Sequence, residues 1–182
     1  MSLAPPIKVR KLQEALHAKA KGSPSYRFYL LYDKLYRPDI LDHAYRSCAA
    51  NGGAPGVDGQ VFEDIESQGR DRWLGELAAE LREKRYRPQA IRRVYLPKPS
   101  GGERPLGIPT VRDRVVQTAL RMVLEPIWEA DFLPCSFGFR PKRSAHQALQ
   151  AMREAIRAGR TWVVDADIDS YFDRLDHDLI LE

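Results

Sequence analysis

The chain reads as an α+β protein: it has many helical segments, few strands and no regular strand–helix–strand alternation. Three observations carry that reading. Residues 111–130 hold the clearest amphipathic helix, residues 91–97 and 103–109 read as two strands around a Gly turn, and residues 162–168 form a further strand.

The elements follow in order. Residues 7–20 are expected to form a helix with Ile7, Leu12 and Leu16 as loosely spaced apolar positions, and Gly22-Ser23-Pro24 breaks it. Phe28, Leu31, Tyr32 and Leu35 stand at helical spacing over 25–35. Pro38 fits the first turn of a helix over about 39–50. The run Asn51 to Gly59 is a Gly-rich loop. Residues 71–84 carry Trp73, Leu74, Leu77 and Leu81 on one side, and Pro88 ends that region. In the hairpin, Pro99 to Gly102 make the turn. Val115, Val116, Ala119, Leu120, Val123, Leu124 and Ile127 give the next helix a broad apolar face, with Pro126 marking a kink or an early stop. Ser144 caps a helix running to about 158.

Hydrophobic content of 43% and charged content of 30% in 182 residues fit a globular chain of one sizeable domain or two small ones. No apolar run approaches the ~18 residues of a membrane span, so no membrane partner is expected. Cys48 and Cys135 lie far apart in no metal-type spacing, and read as reduced thiols of a cytoplasmic protein.

The charge is unevenly spread. Residues 82–114 hold ten Lys/Arg against three Asp/Glu, whereas 165–182 hold seven acids and one Arg. A basic front and an acidic end suit a site where a polyanion and metal ions meet, and they equally suit ordinary solvated surface. On a strand, Asp165, Asp167 and Asp169 share one face, ~7 Å apart. Such a face is tolerable if it is wet or if a divalent cation sits nearby. Lys98 and Arg104 lie on opposite arms near the hairpin turn. They suit a triphosphate grip, Lys as a point charge and Arg as a bidentate fork, and they suit a merely soluble hairpin edge as well.

The run from Tyr86 to Asp178 resembles the reverse-transcriptase domain of group II intron maturases. The matching stretches are YRPQAIRRVYLPKPSGGERPLGIPTVRDRVVQTAL, LEPIWEADFLPCSFGFRPKRSAHQAL and WVVDADIDSYFDRLDH. The upstream run NGGAPGVDG resembles the family's block before the fingers. The resemblance implies reverse-transcriptase fingers with a basic β-hairpin and helices, plus the first strand of the palm. It divides the chain into a basic helical N-terminal extension (1–50), fingers with adjoining palm helices (51–160) and the first palm strand (161–182).

It also implies roles. Asp167 takes the place of the first catalytic aspartate, and the Ile168 carbonyl that of a metal ligand. Phe172 matches the ring that excludes a 2′-hydroxyl on the incoming nucleotide. Lys98 and Arg104 match the residues that hold the triphosphate, and Arg140 lies in a block shaping the nucleotide and template pocket. Asp169 is acidic where many relatives carry Lys. The implied chemistry is nucleotidyl transfer by two Mg²⁺ ions. It takes deoxynucleoside triphosphates, an RNA template and a DNA primer in the bacterial cytoplasm. The family completes the carboxylate set with a Tyr-x-Asp-Asp turn, which this sequence does not contain, so the chain by itself is expected to be inactive.

Structured intron RNA is the expected partner of Lys8, Arg10, Lys11, Lys19 and Lys21, and of Arg92 and Arg93. The adjacent Arg92 and Arg93 face opposite ways on a strand. A binding module without polymerase activity, in a maturase or a domesticated phage-defence enzyme, is the alternative. A metal nuclease lacks a second carboxylate cluster and a general base. An unpaired palm strand edge also makes a homodimer expected.

Overall fold

A computed structural model describes residues 3–99, 101–169 and 171–181, apart from the side chains of residues 172, 173, 177 and 181. The chain divides into two compact units, Met1–Phe132 and Leu133–Glu182.

The first unit runs α1 (Ile7–Gly22), α2 (Tyr32–Leu35), α3 (Pro38–Asn51), α4 (Phe62–Gln68), α5 (Arg70–Arg82), β1 (Arg92–Pro97), β2 (Glu103–Ile108) and α6 (Val111–Trp128). Its core is helical. Ile40, Leu41, Ala44 and Tyr45 of α3 pack with Leu77 and Leu81 of α5, Val111, Val115 and Ala119 of α6, and Val9 of α1. Pro38 is the first residue of α3, where its missing N–H costs nothing. A second cluster joins Leu16, Leu35 and Val123, with Phe28, Leu31 and Ile127 packed against it. Cys48 is buried and Cys135 exposed, both as free thiols. No described helix is long and apolar enough to cross a membrane.

Several expectations are corrected. Residues 25–31 are not helical; only Tyr32–Leu35 is. Phe28, Leu31 and Leu35 do turn inward, but from a largely extended segment. A helix of so few residues has little stability of its own, so packing decides. Ile7 faces outward at 64% exposure, and Val9 takes the core position. α4 is only seven residues long, too short for an apolar period to show; its sequence signal is Asp64, whose Oδ2 accepts from the Val61 amide at 3.1 Å and so satisfies a donor at the helix start.

Pro126 neither stops nor frees α6, which runs on to Trp128. It does leave the Met122 carbonyl without the amide that would normally return to it four residues on. The α1 side chain of Gln13 fills that place, donating through Nε2 to the Met122 carbonyl at 3.1 Å. One turn further along each helix, His17 Nδ1 donates to the Pro126 carbonyl at 3.0 Å. That carbonyl is spare because the Ala130 amide bonds Ile127 instead. One turn further again, Lys21 Nζ donates to the Ala130 carbonyl at 3.1 Å. Three side chains at i, i+4 and i+8 on α1 therefore serve three carbonyls in the same register on or just past α6. The seam ties the N-terminal helix to α6 by position as well as by apolar contact.

In the second unit, α7 (Ala145–Arg157) starts at Ser144. The Ser144 Oγ accepts from the Gln147 amide, and the Gln147 side chain accepts from the Ser144 amide. No residue of α7 is buried, and Leu149, Met152 and Ile156 stand exposed along one stripe. A 3₁₀ turn (Tyr171–Arg174) and the short α8 (His177–Leu181) follow. The expected strand 162–168 is not formed among the described residues. A strand exists only as half of a ladder, and no described segment of this unit pairs with it. Trp162 and Val164 are accordingly 96% and 92% exposed.

The seam yields a stability test. Gln13→Ala should cost about 1–3 kcal/mol by orphaning a part-buried carbonyl. In a Pro126→Ala background, which restores the helix amide, the same change should cost clearly less. A urea-denaturation double-mutant cycle measures the difference, and additive costs would remove Gln13 from this role.

Candidate nucleotide and nucleic-acid interface

β1 and β2 pair antiparallel with Leu96 opposite Arg104 and Arg92 opposite Ile108. The Lys98 amide donates to the Gly102 carbonyl at 2.9 Å and the Gly101 amide to the Lys98 carbonyl at 3.0 Å, closing the turn. Gly101 and Gly102 both take positive φ, 89° and 80°, which side chains rarely tolerate. Lys98 lies two residues beyond Leu96, so it shares a face with Arg104 on a diagonal of roughly 7–8 Å. Both side chains are exposed, and neither has an ion pair among the described residues. Arg92 is half-buried on this same face, its Nε enclosed with no hydrogen-bond partner, while Arg93 is exposed on the other.

The base of the hairpin is held by a buried carboxylate. Asp113, 3% exposed, accepts from the Tyr86 hydroxyl at 2.5 Å, the Gln89 amide at 3.1 Å and the Thr110 hydroxyl at 2.9 Å. Thr110 in turn caps α6, its Oγ1 accepting from the Asp113 amide at 3.1 Å. Gln89 precedes β1 and Thr110 follows β2, so one carboxyl group closes both ends of the hairpin onto α6. Burial first, and then the hydrogen bond to Asp113, push the Tyr86 phenol well above its ordinary value.

The Gly-rich loop is fastened to the same corner. Arg114 donates to the Gly52 carbonyl at 3.1 Å and the Ala54 carbonyl at 3.2 Å, and lies over the Phe62 ring. A Cβ on Gly56 would come within 2.6 Å of the Thr110 Cα, so only glycine lets the loop lie against the cap. The Thr110-x-x-Asp113 spacing before an apolar run was the available sequence signal for this corner.

The other expected site residues are placed less tightly. Asp167 is exposed, and its Oδ1 accepts from the Ile168 amide at 3.0 Å. Asp169 pairs with Arg174 at 2.8 Å, both well exposed. Without a strand, Asp165, Asp167 and Asp169 do not line a common sheet face. Among the described residues no three His, Cys, Asp or Glu side chains gather closely enough to hold a metal. One carboxylate and one carbonyl do not complete the octahedral oxygen set that Mg²⁺ demands. The described residues thus do not fit a two-metal centre by themselves. The Phe172 side chain lies outside the described residues. Arg140 Nη1 donates to the Leu133 and Ser136 carbonyls, both at 2.8 Å, which folds the loop before α7. On α1, Lys8, Arg10 and Lys11 are exposed, with Arg10 near Glu14 at 3.7 Å.

Residues 96–182 match the model of the reverse transcriptase (RNA-dependent DNA polymerase) family. The chain is 39% identical over 180 residues to protein YkfC of Escherichia coli, covering 96% of this chain and 47% of YkfC. It is 38% identical over 151 residues to the group II intron-encoded protein LtrA of Lactococcus lactis, covering 82% of this chain and 25% of LtrA. Nuclear intron maturase 1 of Arabidopsis thaliana is 38% identical over 73 residues, 40% of this chain and 10% of the maturase. The chain belongs to the group II intron reverse transcriptase/maturase family. It spans half or less of the length of these relatives.

The hairpin base gives a pH-resolved test. Asp113→Ala leaves three donors without an acceptor and should destabilise the fold by on the order of 3 kcal/mol. For Tyr86 the sign follows from its raised value. Above about pH 10 the unfolded chain gives up the phenol proton first, so this contribution to stability falls as pH rises further. Denaturation midpoints followed from pH 8 to 11 should show that decline in the parent chain and a weaker one in Tyr86→Phe.

Proposed function

We propose that this chain is the nucleotide- and RNA-gripping front of an RNA-directed DNA polymerase that copies group II intron RNA and assists its splicing. The observation that carries the reading is the hairpin register, which sets two exposed cations, Lys98 and Arg104, on one face beside a closed turn. A triphosphate offers several oxygens within that spacing, and charge-assisted bonds from a Lys and an Arg suit it. Asp113 holds the hairpin from its base, so the two cations are presented on a fixed arm. Family membership supports the polymerase class, and the relatives named for introns support intron RNA as template and partner.

Within this reading Asp167 would offer one carboxylate, and Ile168 its carbonyl, to Mg²⁺, a set that these two residues do not complete by themselves. Arg140 shapes the template pocket by folding its loop, and the family resemblance assigns Phe172 the exclusion of a 2′-hydroxyl. The exposed Lys8, Arg10 and Lys11 of α1, with Arg93 on the outer hairpin face, follow RNA phosphates. The sequence holds no Tyr-x-Asp-Asp turn, with which the family completes its carboxylate set, so a binding role without catalysis is the reading for this chain taken alone.

Two outcomes are expected. The chain by itself should show no primer extension with RNA template, Mg²⁺ and deoxynucleotides, and template-dependent DNA synthesis by it would overturn the assignment of an incomplete centre. In a protein that extends this sequence to the length of its relatives, Lys98→Ala and Arg104→Ala should each raise the nucleotide KM about tenfold to a hundredfold, the cost of one charge-assisted contact. Unchanged nucleotide kinetics in both variants would return the hairpin to a soluble edge.

A further inference from the structure

The segment between α1 and α2 is extended, yet it is held at every second or third residue. Phe28 and Leu31 pack into the second core cluster. Tyr26 meets Phe28 edge to face at 5.0 Å, and Lys19 Nζ lies 4.1 Å above the Tyr26 ring. The Tyr32 hydroxyl donates to the Leu81 carbonyl at 2.8 Å, fastening the segment to the end of α5. Between these anchors Tyr29 and Leu30 point outward at 81% and 77% exposure. Side by side on a segment anchored at both ends, the two side chains form an apolar surface open to a partner.

The surroundings of this pair are strongly cationic. Residues 26–37 and 81–87, joined by the Tyr32–Leu81 bond and by Arg82 lying 5.5 Å from the Tyr36 ring, hold seven Lys/Arg against two Asp/Glu. Arg27, Arg82, Lys84 and Arg87 are exposed and have no acidic partner among the described residues. An apolar protein partner would have no use for this charge. A single-stranded nucleic acid uses both features, stacking bases on the aromatic face and laying phosphates along the cations.

We propose that Tyr29, with Arg27 two residues before it on the same extended segment, is a base-stacking platform for single-stranded RNA on the first unit. The proposal rests on the reading of the chain as an RNA-binding reverse-transcriptase front and adds to it a named contact and a strandedness. The anchors on either side of Tyr29 restrict its backbone, which lowers the conformational entropy lost on binding.

The test uses the intact chain and two fluorescent RNAs, an unstructured ten-nucleotide strand and a hairpin duplex, titrated by anisotropy over a salt series. Tyr29→Ala should weaken binding of the strand about tenfold, the order expected for one stacked base, and leave the hairpin nearly unaffected. Tyr29→Phe, which keeps the ring, should bind the strand as the parent does. Arg27→Ala should reduce the salt slope for the strand by about 0.7, one phosphate contact, whereas Tyr29→Ala should leave the slope unchanged. Parent-like strand binding by Tyr29→Ala overturns the platform while RNA binding by the parent keeps the wider reading. A parent chain that binds neither RNA at low salt overturns both. A parent that self-associates in light scattering, with Tyr29→Ala monomeric and equally tight on RNA, overturns the proposal in favour of a contact between copies of this chain.

Discussion

The buried carboxylate of Asp113 is the constraint on which the first unit turns. A β-hairpin of two six-residue strands has little stability by itself. Here its ends are brought to one side chain at the start of α6, the Gln89 amide from one side and the Thr110 hydroxyl from the other. The Tyr86 hydroxyl adds the chain that leaves α5. In a low-dielectric setting such a carboxylate is costly unless its lone pairs are filled, and three donors fill them. The Gly-rich loop then closes over the corner because Gly56 has no Cβ to strike Thr110. Core helices, hairpin and loop thus meet in a few residues, and the cations at the hairpin tip inherit their direction from that meeting.

The seam between α1 and α6 works on the same principle. Pro126 breaks one helix hydrogen bond, and the neighbouring helix supplies the missing donor through Gln13. His17 and Lys21 continue the pattern to the frayed end of α6. Three basic or polar residues that look, in sequence, like ordinary surface are therefore engaged with backbone carbonyls. Lys19 is engaged as well, over the Tyr26 ring. Lys8, Arg10 and Lys11 lie at the other end of α1 and are exposed, with Arg10 near Glu14.

The helices with strong local signals were legible in the sequence. Pro38 marked the start of α3, Ser144 the start of α7, and the Gly turn fixed the hairpin to within a residue or two. Segments whose state depends on a partner were not. Phe28, Leu31 and Leu35 have helical spacing, but their burial comes from an extended path that only the α1–α6 surface dictates. Trp162 to Ile168 has strand composition, but composition cannot provide the second strand. For the candidate site, the same-face relation of Lys98 and Arg104 needed the register, and the role of Asp113 needed its three donors. An isolated Asp between two arginines reads as surface charge until the Thr110 spacing is noticed. The family came from long ordered motifs, which record shared ancestry and not local physics.

Closing both hairpin arms on one side chain also sets a rule for how the tip can change. The arms advance about 3.3–3.4 Å per residue, and side chains alternate between faces. Adding one residue to each arm would carry the turn outward and move Lys98 and Arg104 to the opposite face. Adding two to each would move them about 7 Å further out with their facing restored. Reach and facing are thus locked together by parity at a fulcrum that stays still. Length variation within the arms, at 92–97 and 103–108, is felt at the tip alone, in even steps, while the helical core beneath Asp113 is left undisturbed.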